Sequence, residues 1–274
     1  MKQFAPSLLL LAVFEAVAVT LWLTREELFY LLNFSYIGLC LALGLALFVR
    51  GKTYARRFVQ WAVGCYLLLY LGLLCRENMQ LEGFWYYLFL GVFEGAVIHY
   101  LVAKLAGPLL FGRGWCGYAC WTAMVLDLLP YPVPRRPRRK KLGRLAWVLF
   151  AGSLALVAAL FRWGPPDLEG IMFHLFLAGN ALYYGAGIAL AFVLRDNRAF
   201  CKYLCPITVF LRPVSRFALI RVRCDEDACI GCGQCLAVCP MDVEVNRDSR
   251  DRTNGSECIL CMACKKACPT GALR

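Results

Sequence analysis

The chain has 274 residues, 61% of them hydrophobic, with a mean hydropathy of +0.59. That excludes an ordinary soluble domain and assigns most of the chain to a bilayer. The formal charge of +12 does not point to nucleic acid, because residues 1–223 hold 24 basic and 10 acidic side chains against 6 and 8 from 224 onward, so the cationic part is the apolar part.

Six apolar segments reach spanning length, at about 4–23, 28–49, 58–74, 84–105, 145–161 and 171–194. The first has a single Lys2 on its flank and no small-residue cleavage site, so it reads as a retained helix and not a signal peptide. Arg50, Lys52, Arg56 and Arg57 follow the second segment, and the run from Arg135 to Arg144 follows the fourth. The alternate loops carry Glu26, Glu27, Glu77, Glu82, Asp167 and Glu169 with only Arg25, Arg76 and Arg162. The asymmetry predicts a multi-pass protein of the inner (cytoplasmic) membrane with both termini cytoplasmic, its basic loops touching lipid headgroups.

Two segments near the inner ends of the fourth and sixth spans share the pattern R-x-aromatic-C-x-Y-x-C. They are Arg113 to Cys120, with Cys116 and Cys120, and Arg198 to Cys205, with Cys201 and Cys205. On a helical backbone, cysteines four apart share a face, so two facing pairs offer four thiols to one centre. Matched thiolates select soft metals, and a third iron–sulfur cluster is the functional reading; a redox dithiol or plain packing are the alternatives.

The last fifty residues carry C-x2-C-x2-C-x3-C-P twice. Cys229, Cys232, Cys235 and Cys239 precede Pro240, and Cys258, Cys261, Cys264 and Cys268 precede Pro269. This is the signature of two [4Fe-4S] clusters, in which the fourth cysteine of each run crosses to the other cube. The expected sets are Cys229, Cys232, Cys235 and Cys268 for one, and Cys239, Cys258, Cys261 and Cys264 for the other. Gly231 and Gly233 let main-chain amides approach the cluster. A four-cysteine zinc site normally uses two distant C-x2-C pairs, and disulfides need an oxidising compartment, which the expected topology denies.

Membrane helices, two C-x3-C motifs of the form G-R-G-W-C-G-x-x-C and F-C-x-x-x-C-P, and a terminal two-cluster domain resemble the NapH and NosR class of membrane-bound polyferredoxins, most closely its smaller NapH-like members. The resemblance covers about residues 84–274 and implies electron transport linked to quinol oxidation. Trp121 follows Cys120 where that class usually has proline.

Within the fourth span, Glu94 and His99 are candidates for quinone and proton chemistry, the bland alternative being a histidine hydrogen-bonded to a neighbouring helix. Counted along unbroken helices, His99 falls about 22 Å and His174 about 5 Å from the outer ends, too far apart to share a haem. Glu15 is a weaker candidate. Cys40, Cys65 and Cys75 read as small hydrophobes, Cys224 as a spare thiol, and Phe84 to Tyr87 as an interfacial belt.

The sequence therefore predicts an α-helical integral membrane bundle of about six helices (1–223) with a C-terminal α+β two-cluster ferredoxin domain (224–274). Its expected work is to relay electrons between the quinone pool, or a membrane redox partner, and the ferredoxin-type clusters. A maturation factor for a membrane metalloenzyme and an iron–sulfur redox sensor are the other readings. Partner redox proteins are implied, and no catalytic residue is assigned.

Overall fold

The computed structural model describes residues 4–93, 95–165 and 167–274. Among these, five helices are long and apolar enough to cross a membrane: α1 (Ala5–Arg25), α2 (Leu28–Val49), α3 (Ala55–Leu74), α8 (Leu145–Trp163) and α9 (Leu168–Leu194). All but α3, whose first turns carry Arg56, Arg57 and Gln60, are apolar nearly all round, and Leu8, Leu9, Leu32, Val148 and Val193 stand open on their outer faces, as lipid-facing residues do. Glu26, in the left-handed region at φ 59°, ends α1 and lets α2 fold back along it.

The fourth expected span is not one helix. Gly91 at φ 70° stops α4 (Leu81–Leu90), and the chain restarts as the shorter apolar helix α5 (Ala96–Phe111). Contacts along α8 and α9 give the path. Asn78 donates to the Met172 carbonyl (2.8 Å), and Gly179, two turns further along α9, packs against the Gln80 amide. Trp85 then donates to Ser153 (3.2 Å), and Phe89 lies edge-on to Phe161 (5.4 Å). The segment before α4 thus plunges between the helices, α4 climbs back parallel to α8, and α5 crosses beside it, with Phe84 stacked on Tyr100 (4.7 Å). Phe84 and Trp85 are buried, so they are core and not the interfacial belt that the sequence suggested.

Short helices carry the rest: α6 (Gly114–Tyr118), α7 (Trp121–Leu126), α10 (Ala199–Tyr203), α11 (Thr208–Ser215), α12 (Gln234–Ala237) and α13 (Ala263–Ala267). The cysteine-rich lobe was expected to be α+β. Among its described residues there is no strand, only one antiparallel bridge, Cys224 to Leu273, extended by Arg223 N–H and Arg274 N–H each donating to the other's carbonyl (both 3.0 Å). Between the cysteine runs the backbone turns repeatedly, and Glu244 N–H donates to the Thr253 carbonyl (3.0 Å) without a ladder forming. The lobe shares a core with the membrane part, since Cys116 and Leu211 pack with Val222, Met241, Ile259 and Leu273.

Candidate metal centres

The two halves of the membrane repeat fold alike. Cys116 N–H and Lys202 N–H close the first turns onto the carbonyls of Arg113 and Arg198 (both 3.0 Å), and Ala119 and Leu204 close the ends onto Trp115 and Phe200 (both 2.9 Å). α6 and α10 last only five residues, so Cys120 and Cys205 lie just beyond a single helical turn. The halves are strapped reciprocally. Arg113 donates to the Cys201 carbonyl and Arg198 to the Cys116 carbonyl, at 3.1 Å each, so each arginine positions the other half's first cysteine. Both guanidiniums are about 1% exposed. Trp121, in place of proline, starts α7 and is pinned by its indole N–H to Asn180 (2.8 Å).

The four thiols form one electrostatic group. Burial first, then Cys201, Cys116 and Cys120, pushes the Cys205 thiol far up. Burial likewise raises Cys201 to about 11, against the pull of Arg198, and it raises Cys120, with Cys116 adding to it. Empty of metal, Cys120, Cys201 and Cys205 stay protonated at neutral pH; a soft metal centre would take their protons' place, and Arg113 and Arg198 would offset the thiolate charge. The donor set fits an iron–sulfur centre.

In the lobe, one hollow is lined by Cys229, Cys232, Cys235 and Cys268, and a second by Cys239, Cys258, Cys261 and Cys264. These are the crossed sets the spacing implies. Among the described residues no three His, Cys, Asp or Glu side chains converge tightly enough for a single ion. Thiols spread round a hollow suit a cube-shaped cluster better than zinc. Cys224 lines the first hollow too, so it is no bystander in space. The loops are backbone twins: Gly231 and Gly233 sit at φ 67° and 71°, and their counterparts Leu260 and Met262 at 52° and 58°.

The second hollow faces the membrane repeat. Tyr118 donates to the Leu260 carbonyl (3.0 Å), and a Cβ on Gly117 would stand 2.3 Å from the Ile259 carbonyl, so only glycine lets the two segments touch. Glu257, next to Cys258, receives Arg113 (3.0 Å), Arg138 (2.5 Å) and Arg212 (3.0 Å). Burial alone would lift its carboxyl; the three guanidiniums overturn that and hold it below the usual range. Lys202 bridges Asp196 (2.8 Å) and Asp242 of the lobe (2.6 Å), while Asp127 gathers Arg198 (2.5 Å) and Arg56 (2.8 Å). Sequence reasoning missed Glu257, Asp127, Asp196 and Asp242. The only signals were two arginines in register within the repeat and an acidic residue against the second cysteine run.

Glu94 lies outside the described residues. His99 sits about 5 Å from the start of α5, not deep in a long helix, because the span is broken before it. It lines a cavity of about 320 Å³ between α1, α2, α3 and α5, with Phe14, Asn33, Leu71, Val102 and Trp115. His99 Nε2 and Asn33 Oδ1 are buried without hydrogen-bond partners. The Trp115 ring lies 5.5 Å from the His99 ring, with the Lys104 ammonium over it at 5.3 Å, and its neighbour in the chain is Cys116. His174 turns to the Gly170 carbonyl of its own helix (2.7 Å), and Glu15 accepts from Ser35 (2.7 Å).

Membrane-length helices joined to paired cysteine sites define a membrane-associated protein of the ferredoxin type. Residues 221–269 match the 4Fe-4S dicluster domain family, and residues 96–144 and 181–223 match the 4Fe-4S binding domain family. An uncharacterised protein of Methanocaldococcus jannaschii is 35% identical over 59% of this chain and 63% of its own. The methylamine utilization ferredoxin-type protein MauN of Paracoccus denitrificans is 30% identical over 53% of this chain and 54% of its own. YccM of Escherichia coli, named for electron transport, is 32% identical over 65% of this chain and 55% of its own. The chain thus spans between about half and two thirds of these relatives' lengths. No solved structure matches significantly. The chain is a NapH/FixG-like 4Fe-4S protein.

Proposed function

We propose that this protein relays electrons between a lipid-soluble quinone, held in the His99 cavity, and two [4Fe-4S] clusters in the C-terminal lobe, by way of a third centre on Cys116, Cys120, Cys201 and Cys205. In this reading the lobe cubes are held by Cys229, Cys232, Cys235 and Cys268 and by Cys239, Cys258, Cys261 and Cys264, and the lobe lies in the cytoplasm with both termini. Iron–sulfur clusters supply one-electron carriers whose potentials follow ligation, nearby charge and solvent access. The chain's own residues do the remainder. Asn33 Oδ1 and His99 Nε2 accept hydrogen bonds from a quinol's hydroxyls, and as the head passes its two electrons one at a time to the centres, His99 Nε2 takes one of its two protons and the other leaves to water. Trp115 separates this head from Cys116. Arg113 and Arg198 compensate thiolate charge and, with Glu257 and Gly117, keep the second hollow pressed to the membrane repeat.

The observation that carries the reading is the position of Trp115: the cavity with unpartnered polar atoms ends at the residue that precedes Cys116, the first cysteine of the membrane repeat. The test is anaerobic mixing of the purified, iron-loaded protein with a short-chain quinol while the cluster absorbance is followed. Bleaching that slows about tenfold in His99→Ala, at unchanged iron content, supports the reading. Absence of bleaching by any quinol, or bleaching indifferent to His99 and Asn33, contradicts it.

A further inference from the structure

At the junction of α5 and the lobe lies a cleft whose walls include Arg216, Arg221, Arg250 and Arg252 with Ser215. Two carboxylates answer the four guanidiniums: Asp251 pairs with Arg216, and Asp248 with Arg221 at 3.1 Å. Among the described residues Arg250 and Arg252 are held only by main-chain carbonyls, Arg250 by those of Arg216 (2.9 Å) and Ala218 (3.3 Å) and Arg252 by that of Arg247 (3.2 Å). Two positive charges are left over in a partly enclosed space. Moreover, the Nε and Nη1 of Arg221 and the hydroxyl of Ser215 are buried with no acceptor. Buried donors without partners call for an acceptor. Arg221 is also held below the usual guanidinium range, first by burial and then by the like charges of Arg252, Arg223 and Arg250, with Asp248 opposing.

Beside the cleft the surface changes character abruptly. Phe217, Leu219 and Ile220 are 62%, 65% and 60% exposed, and they follow Arg216 directly. The N–H groups of Leu219 and Ile220 donate to the carbonyls of Leu109 and Leu110 (2.9 and 2.7 Å), tying this strip to the last turn of α5, whose own Leu109 and Leu110 are half exposed. An apolar strip continuous with a membrane helix, ending in an anion-seeking cleft, matches one kind of molecule: an amphiphile with a negatively charged head.

We infer that this cleft is a binding site for the phosphate headgroup of an acidic phospholipid, whose acyl chains lie along Phe217, Leu219, Ile220 and the end of α5. The lipid acts as a wedge between α5 and the lobe: Cys258 of the second hollow, Leu260 of its loop and Gly112 of the membrane part line the same cleft, so its occupancy stiffens their contact. The site is independent of the quinone reading.

The test uses the full iron-loaded chain, delipidated in neutral detergent and titrated with phosphatidylglycerol, phosphatidylcholine or inorganic phosphate under native mass spectrometry. Phosphatidylglycerol is expected to bind preferentially, and about tenfold more weakly to Arg221→Gln, as loss of a charge-assisted contact implies. Phe217→Ser with Leu219→Ser should weaken the lipid and leave inorganic phosphate unchanged. Should Arg221→Gln fail to retain iron, Arg216→Gln, whose side chain is 57% exposed, carries the same comparison. Equal binding of phosphatidylglycerol by wild type and an iron-replete arginine variant overturns the proposal. Inorganic phosphate binding as tight as the lipid, insensitive to the apolar strip, also overturns it and leaves a free-anion site.

Discussion

The two cysteine loops of the lobe are nearly the same object in opposite surroundings. Ile230 and Ile259 occupy equivalent places, one residue after the first cysteine, yet Ile230 is 68% exposed and Ile259 is 3% exposed. The first loop takes its two left-handed positions with Gly231 and Gly233; the second takes them with Leu260 and Met262, at a cost of about 1–2 kcal/mol each for a residue with a Cβ. Leu260 recovers that cost by burial beside Gly114, with its carbonyl engaged by Tyr118. The backbone around a cluster is therefore fixed by the cysteines, while its side chains are chosen by the neighbour. A loop with a neighbour spends side chains on it; the loop without one keeps glycine and leaves an isoleucine in solvent.

The comparison breaks most violently at Glu257. Glu257→Gln leaves Arg113, Arg138 and Arg212 without their shared carboxylate, and removing one partner from a buried charge network costs about 3–5 kcal/mol. Limited proteolysis should then release the lobe from the membrane part, whereas a lobe as resistant as wild type would show that the clamp is dispensable. On the other side of the junction, Asp127 is held at about 2 by Arg198 and Arg56 against its burial. Its folded value lies below its unfolded value, so its contribution, about 2 kcal/mol, is complete above about pH 4 and lost as pH falls towards about 2. Thermal unfolding between those pH values should show the loss in wild type and a flatter profile in Asp127→Asn. The smallest structural effect belongs to Ile230→Ser, within about 0.5 kcal/mol, because nothing covers that side chain. Electron delivery to a redox partner should slow, and an unchanged rate would place the docking face elsewhere.

Local chemistry was legible in the sequence and long-range chemistry was not. Cysteine spacing marked the two runs, whose thiols line two hollows in the structure, because each loop dictates its own backbone. The repeat of Arg113 and Arg198 was visible, but not that each reaches across to the other half, a bond spanning more than eighty residues that no spacing rule encodes. Hydropathy merged α4 and α5 into one span because it sums apolar residues and cannot see Gly91 turning the chain. That merger misplaced His99 by several turns and hid the cavity it lines. The expected α+β lobe is not seen because the chain between the two cysteine runs, long enough for a hairpin, runs mostly in turns, with Glu244 N–H donating to the Thr253 carbonyl but no ladder developing around that bond.

The central claim is that the membrane repeat is a metal centre in its own right, and iron and acid-labile sulfide counting on anaerobically purified protein tests it most directly. Wild type should hold about twelve irons, and Cys116→Ser with Cys201→Ser about eight, the lobe's two cubes remaining. About eight irons in both proteins would contradict the claim and leave the four buried cysteines as thiols.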